Sequence, residues 1–270
     1  MTLNWDGLDL GILGPACVAG LVVLSTHVPL GRQVLRRGII FIDLAIAQVA
    51  GVGVILASWL GFDEHGLSAQ FAAGAAALLG AGLLSWTDRR WPQHQEPVIG
   101  TLFVLAETGS LLLLANNPQG GEHLKDLLVG QILWINYVDL IPAAVLSILL
   151  LALMRWRSGR LTGIAFYGLF ALAITASVQL VGVYLVFASL IVPALATASM
   201  HGKGQLIAAY GIGICGYVLG LVLSAVFDLP SGAMIVWTLV ASALLAQAFP
   251  FPRHVREPMG AASASVHGLR

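Results

Sequence analysis

The residues of this chain able to do chemistry are few, and most sit where water should be scarce. Asp43 and Gln48 lie in the run 36–58, which is entered through Arg36 and Arg37 and holds nothing else strongly polar until Ser58. Glu107 stands alone in the apolar run 97–115. A charge inside an apolar span is costly and is by default functional. No basic residue falls inside a neighbouring apolar run to pair with Glu107, so that acid either holds a cation or carries a proton and hydrogen-bonds to a nearby helix. Helix geometry then separates Asp43 from Gln48. At about 1.5 Å per residue from a start near residue 39, Asp43 is about one turn in and Gln48 about 14 Å in, close to the middle of a roughly 30 Å hydrocarbon core. At 100° per residue the two are about 140° apart, so they cannot chelate one ion from a single helix face. For Asp43 the alternative is a structural partnership with Arg36 or Arg37; for Gln48 it is an interhelical hydrogen bond. A further polar group, Glu122, His123, Lys125 and Asp126, lies in the segment 116–126. It suits either a metal entrance or a solvated turn.

The elements that must position these residues are membrane helices. The 270 residues are 58% hydrophobic and 10% charged, with mean hydropathy +0.90, against about 25% charged in a soluble domain. A spanning helix needs about 20 apolar residues. Nine apolar runs meet or share that requirement: 10–30, 39–60, 68–86, 97–115, 135–154, two within 161–202, 205–227 and 232–249. The almost uncharged stretch 161–202 is too long for one span and predicts a tight turn near 177–182. The expected fold is therefore all-α, a polytopic membrane bundle of about nine transmembrane helices. Residues 1–250 form the membrane domain and 251–270 a loosely ordered cytoplasmic tail.

Basic residues set the expected orientation. Twelve of the 13 lysines and arginines fall after the first, third, fifth and seventh runs or in the tail, and only Lys125 falls on the other side. Short loops rich in Lys and Arg stay in the cytoplasm, which places the N-terminus outside and the C-terminus inside. The acidic N-terminus lacks the basic start of a secretory signal, so the first run is expected to remain in the mature protein. Formal net charge is zero, which gives no reason to expect nucleic acid. Cys17 and Cys215 lie in apolar runs and read as small buried hydrophobes; they make neither a disulfide framework nor a zinc pattern. His27, near the end of the first run, reads as an interfacial histidine. No phosphate loop, HExxH or GxSxG occurs, so the chain does not itself bind ATP through a phosphate loop. Gly51-x-Gly53 and Gly211-x-Gly213 read as helix-packing sites. In 192–204, VPALATASMHGKG, Pro193 interrupts a helix and small residues lead to a cytoplasmic turn. That is either a proline-kinked helix end or a short helix that docks on a cytoplasmic partner.

Four features together resemble the ABC-3 permeases, the membrane subunits of bacterial metal-ion importers for zinc, manganese or iron. They are LRRGIIFIDLAIAQVAGVGV (35–54), GGEHLKDLLVGQILWI (120–135), VGVYLVFASLIVPALATA (181–198), and the overall size and span count. The third is the most specific. The resemblance implies a multi-pass protein of the cytoplasmic (inner) membrane, working as a homodimer around a central path. A dimer of ATP-binding subunits would dock below and an extracytoplasmic metal-binding protein would deliver the ion. It implies no enzyme activity in this chain, because ATP hydrolysis belongs to the separate subunit, and no permanently bound cofactor, the divalent metal being cargo. Asp43, Gln48, Glu107 and His123 are then the candidate metal residues. Pro193, Ala194, Ala196, Thr197, Ser199, His201 and Gly202 become the candidate contacts to the ATPase. One departure stands out. The family pattern follows the acid by a histidine four residues later, whereas Asp43 is followed at that spacing by Ala47, with Gln48 next. The competing readings are a proton- or cation-coupled secondary transporter using Glu107, and an intramembrane enzyme, for which no second deep reactive group is present.

Overall fold

The computed structural model describes residues 9–63, 66–115, 128, 130, 132–156 and 163–248. Among these residues there are nine α-helices and no strand. They are α1 (Leu10–Arg37), α2 (Ile42–Trp59), α3 (Leu67–Arg90), α4 (Gln95–Leu114), α5 (Tyr137–Trp156), α6 (Ile164–Val181), α7 (Val183–Ala196), α8 (Gly202–Phe227) and α9 (Ser231–Ala248). Short 3₁₀ turns at Pro92–His94 and Ile132–Trp134 precede α4 and α5. The protein is a multi-pass membrane protein, and among the described residues eight of the nine helices are long and apolar enough to cross a bilayer. The exception is α7, whose 14 residues reach only about 21 Å. Large apolar side chains face outward along the bundle, as at Leu79 (76% exposed), Leu112 (77%) and Trp237 (74%), which suits lipid rather than water.

The helices form two groups. In one, α2 packs against α3, α4 and α6, and α3 packs against α6. In the other, α1 packs against α5, α7 and α8, while α9 packs against α7 and α8. Small residues let the backbones close up where hydrocarbon gives helices no solvent-driven reason to associate. At Gly31 a Cβ would collide with the Leu190 carbonyl of α7, which is how tightly α1 and α7 approach. Of the glycine pairs singled out above, a Cβ on Gly53 would stand 2.6 Å from the Ala72 carbonyl oxygen and one on Gly213 2.6 Å from Leu24 Cδ2, whereas Gly211 faces open space.

The uncharged stretch does divide in two, and the break is a single residue. Gly182, at φ 80° and ψ 165°, separates α6 from α7. That conformation is open to glycine and strained for any side chain. Gly130, also at positive φ, packs its backbone on the Val181–Gly182 peptide so closely that a Cβ there would collide with it. One loop thus caps the break. Pro193 does not break a helix off; it lies inside α7, which runs on to Ala196. The short docking helix expected at 194–204 is instead the last turn of α7, a turn over 197–199, and the start of α8 at Gly202. Thr197 Oγ1 donates to the Pro193 carbonyl (2.8 Å) and Gln205 Nε2 to the Thr197 carbonyl (2.9 Å), which ties that turn to α8.

Candidate functional site

At the seam between the two helix groups lies a cavity of about 570 Å³. Its wall is mostly apolar, drawn from α2, α4, α7 and α9, with Leu128. Gln48 of α2 and Glu107 of α4 both line it, so two candidates far apart in sequence share one space. Gln48 is only 6% exposed. Glu107 Oε2 is buried and has no hydrogen-bond partner. A carboxylate oxygen in that state, in an apolar cavity with an amide, is costly to leave unsatisfied, and the two side chains together present oxygen donors to one space. Both donors are oxygen atoms when the Gln48 amide turns its carbonyl inward, and oxygen donors suit hard divalent ions such as manganese.

Asp43 is placed differently. It is the second residue of α2 and is 1% exposed, yet it does not line the cavity, whereas its neighbour Leu44 does. The partnership with Arg36 or Arg37 is not formed, because no side chain hydrogen-bonds the Asp43 carboxylate. The reason is the path of the chain. α1 continues through Pro29 to Arg37 and is capped by Gly38 at φ 70°, which carries both arginines away before α2 begins. The Arg37 guanidinium sits over the Phe166 ring, 3.9 Å from its centroid, and Arg36 is exposed.

The same lengthening corrects the reading of His27. It is mid-helix and 0% exposed rather than interfacial. Its Nδ1–H donates to the Val23 carbonyl (2.9 Å), leaving Nε2 without a partner. Both cysteines are free thiols, as expected, but neither is fully buried: Cys17 is half-buried and Cys215 is exposed on α8. His123 lies outside the described residues, as do Glu122, Lys125, Asp126 and the tail. Among the described residues no group of three or more His, Cys, Asp and Glu side chains converges. The candidate ATPase contacts split: Pro193, Ala194 and Thr197 are buried, Ala196 is half-buried, and Ser199, His201 and Gly202 are exposed.

One acid that the sequence reading left in a loop belongs to this region. Glu96 is in the first turn of α4, and its Oε1 accepts from the backbone N–H of Phe41 (3.2 Å), the residue that precedes α2. Beside it, Gln95 is 3% exposed and pins the start of α4. Its Nε2 donates to the Leu84 carbonyl (2.9 Å) and to Tyr167 Oη (3.1 Å), and its Oε1 accepts from Thr87 Oγ1 (3.0 Å). α3, α4 and α6 are thereby tied at one end, the end where α2 begins. The signal was a charged residue immediately before an apolar run, which a hydropathy reading assigns to the loop.

Residues 9–167 and 158–250 match the ABC 3 transport family. The chain belongs to this family. Among its relatives is the "Probable iron transport system membrane protein" of Haemophilus influenzae, 27% identical over 266 residues that cover 90% of this chain and 96% of the relative. Another is the "Manganese transport system membrane protein MntC" of Halalkalibacterium halodurans, 27% identical over 267 residues, 90% of this chain and 88% of the relative. The solved structure of PsaBC from Streptococcus pneumoniae in complex with Fab shares the fold. Its TM-score is 0.70 at 21% identity, with 89% of this chain and 93% of that chain covered.

Proposed function

We propose that this chain is the membrane-spanning subunit of an ATP-driven importer of a divalent metal ion, one of zinc, manganese or iron. The observation that carries the reading is the shared cavity: in a chain of the ABC 3 transport family, Gln48 and the unpartnered Glu107 meet on one apolar space between α2, α4, α7 and α9. Two copies would enclose the path, an extracytoplasmic protein would deliver the ion, and a cytoplasmic ATPase dimer would drive it. The chain would lie in the cytoplasmic membrane with its N-terminus outside. Arg36 and Arg37 end α1, Arg89 and Arg90 end α3, and Arg155 ends α5. These ends then face the cytoplasm, where short basic loops are retained. With the short, apolar α7 counted as the seventh passage, the exposed Ser199, His201 and Gly202 between α7 and α8 fall on that same face and would meet the ATPase, while the buried Pro193, Ala194 and Thr197 shape the turn that presents them.

The cavity gives Glu107 the leading role. It is a charge-bearing group in the wall, and a dehydrating divalent ion needs a charged oxygen to offset lost water. Gln48 adds a neutral oxygen and orients the ion without holding it, which suits transit. The test is metal uptake by proteoliposomes holding this chain with co-expressed ATP-binding and metal-binding partners. Uptake that requires ATP supports the proposal, and its absence under ATP overturns it.

A further inference from the structure

We propose that Arg32 and Arg36 form a site on the outer face of α1 for the phosphate of an anionic phospholipid, whose acyl chain lies along the apolar stripe leading to them. The site rests on the orientation given above only in placing that lipid in the cytoplasmic leaflet. Arg32 and Arg36 are one helical turn apart near the end of α1, so their Cβ atoms stand about 5–6 Å from each other. At about 100° per residue, Arg36 falls in line with Val18 and Arg32 within about 20° of Leu21. Val18 is 38% and Leu21 45% exposed. The opposite face, with Gly20, Leu24, His27 and Gly31, is buried against the bundle. The two arginines thus end an outward-facing apolar stripe. At about 1.5 Å per residue from Leu10, a hydrocarbon core of roughly 30 Å ends near residue 30, which puts both at the level of the lipid phosphates.

Arg32 is half-buried, and its Nε is shielded from solvent with no hydrogen-bond partner. Among the described residues no carboxylate pairs with Arg32 or Arg36; the charge that acts on Arg32 is the guanidinium of Arg36. Like charges at this spacing repel, and a buried donor left unmade adds its own cost. The helix dipole accounts for Arg36, in the last turn, but fades before Arg32. Snorkelling would carry an arginine head fully into water, which the shielded Nε of Arg32 contradicts. A phosphate answers both costs: it offers the missing negative charge and several acceptor oxygens to the guanidinium forks. The stripe selects a lipid over a free anion, because apolar side chains run straight into the arginines as acyl chains run into a headgroup. Basic clusters on the cytoplasmic side of membrane helices bind such headgroups. Arg37, next in the chain, turns the other way and sits over the Phe166 ring.

The test is native mass spectrometry of the full-length chain in a neutral detergent, titrated with phosphatidylglycerol and, separately, with phosphatidylcholine. The wild type is expected to bind phosphatidylglycerol in preference. Arg32→Gln or Arg36→Gln is expected to weaken the tightest phosphatidylglycerol by about 5-fold each, and the double variant by about 30-fold. Arg32→Lys, which keeps the charge and folds as readily, is expected to weaken it too, because the fork is lost. Arg90→Gln, at the exposed end of α3, is the control and is expected to change nothing. Equal affinity in the wild type and the double variant, or equal binding of the two lipids, overturns the site. Competition by inorganic phosphate at matched concentration overturns the lipid assignment. So does a double variant that keeps its phosphatidylglycerol but no longer co-purifies with the ATP-binding subunit, since the arginines would then serve that partner. Lipid binding needs neither ATP nor metal, so ATP-dependent uptake by the wild-type complex reports separately on the transport reading.

Discussion

Replacing Gln95 by leucine removes a polar knot without changing the side-chain volume much, and its cost can be worked from the three bonds it makes. Gln95 donates to the Leu84 carbonyl and Tyr167 Oη and accepts from Thr87 Oγ1. Interhelical hydrogen bonds in membrane proteins average about 0.6 kcal/mol each, so the three together give about 2 kcal/mol, or about 30-fold in an unfolding equilibrium. The share carried by Tyr167 can be isolated. In a double-mutant cycle, Tyr167→Phe and Gln95→Leu should fall short of additivity by about 0.6 kcal/mol, because each removes the same bond. The assay is reversible unfolding in mixed micelles, with thermal inactivation of the full complex as a check. A loss below about 0.5 kcal/mol for Gln95→Leu, or full additivity with Tyr167→Phe, would refute the idea that this knot fixes the start of α4. Because α4 carries both Glu96 and Glu107, the same variant is expected to lower uptake more than its effect on abundance explains.

Gly182→Val should cost about 1–3 kcal/mol through backbone strain at φ 80°, read as reduced yield and thermal stability of the detergent-solubilised chain; wild-type stability would mean the α6–α7 break does not need this conformation. In a Cys17→Ala, Cys215→Ala background, Ser199→Cys should react with an impermeant maleimide from the cytoplasmic side alone, and labelling of intact cells from outside would reverse the proposed orientation.

Much of the fold can be read in the sequence because hydrocarbon demands long apolar runs. The runs at 68–86, 205–227 and 232–249 each correspond to a helix within a few residues, and the uncharged stretch 161–202 does divide at Gly182. Hydropathy says how long a run is and little about where a helix stops. α1 therefore reaches Arg37 rather than residue 30, which moves His27 into the interior and parts Arg37 from Asp43. α7 is shorter than the other spans although its sequence is apolar throughout, because Gly182 begins it and the Pro193–Thr197 turn ends it.

The site was legible in its isolated polar residues and not in their grouping. Gln48 and Glu107 attract notice as polar groups in apolar runs, but only the packing of α2 on α4 puts them in one cavity. Glu96 escaped notice because local pattern cannot tell a loop acid from one folded against a neighbouring helix. Its contact is with Phe41, 55 residues away.

The measurement that bears most directly on the account is uptake of Mn²⁺, Zn²⁺ and Fe²⁺ by proteoliposomes of the complete transporter, wild type against Glu107→Gln. The account predicts uptake that requires ATP in the wild type and is abolished in the variant, with membrane insertion and assembly unchanged. Normal ATP-dependent uptake by Glu107→Gln, or wild-type uptake that runs on a proton gradient without ATP, would contradict it.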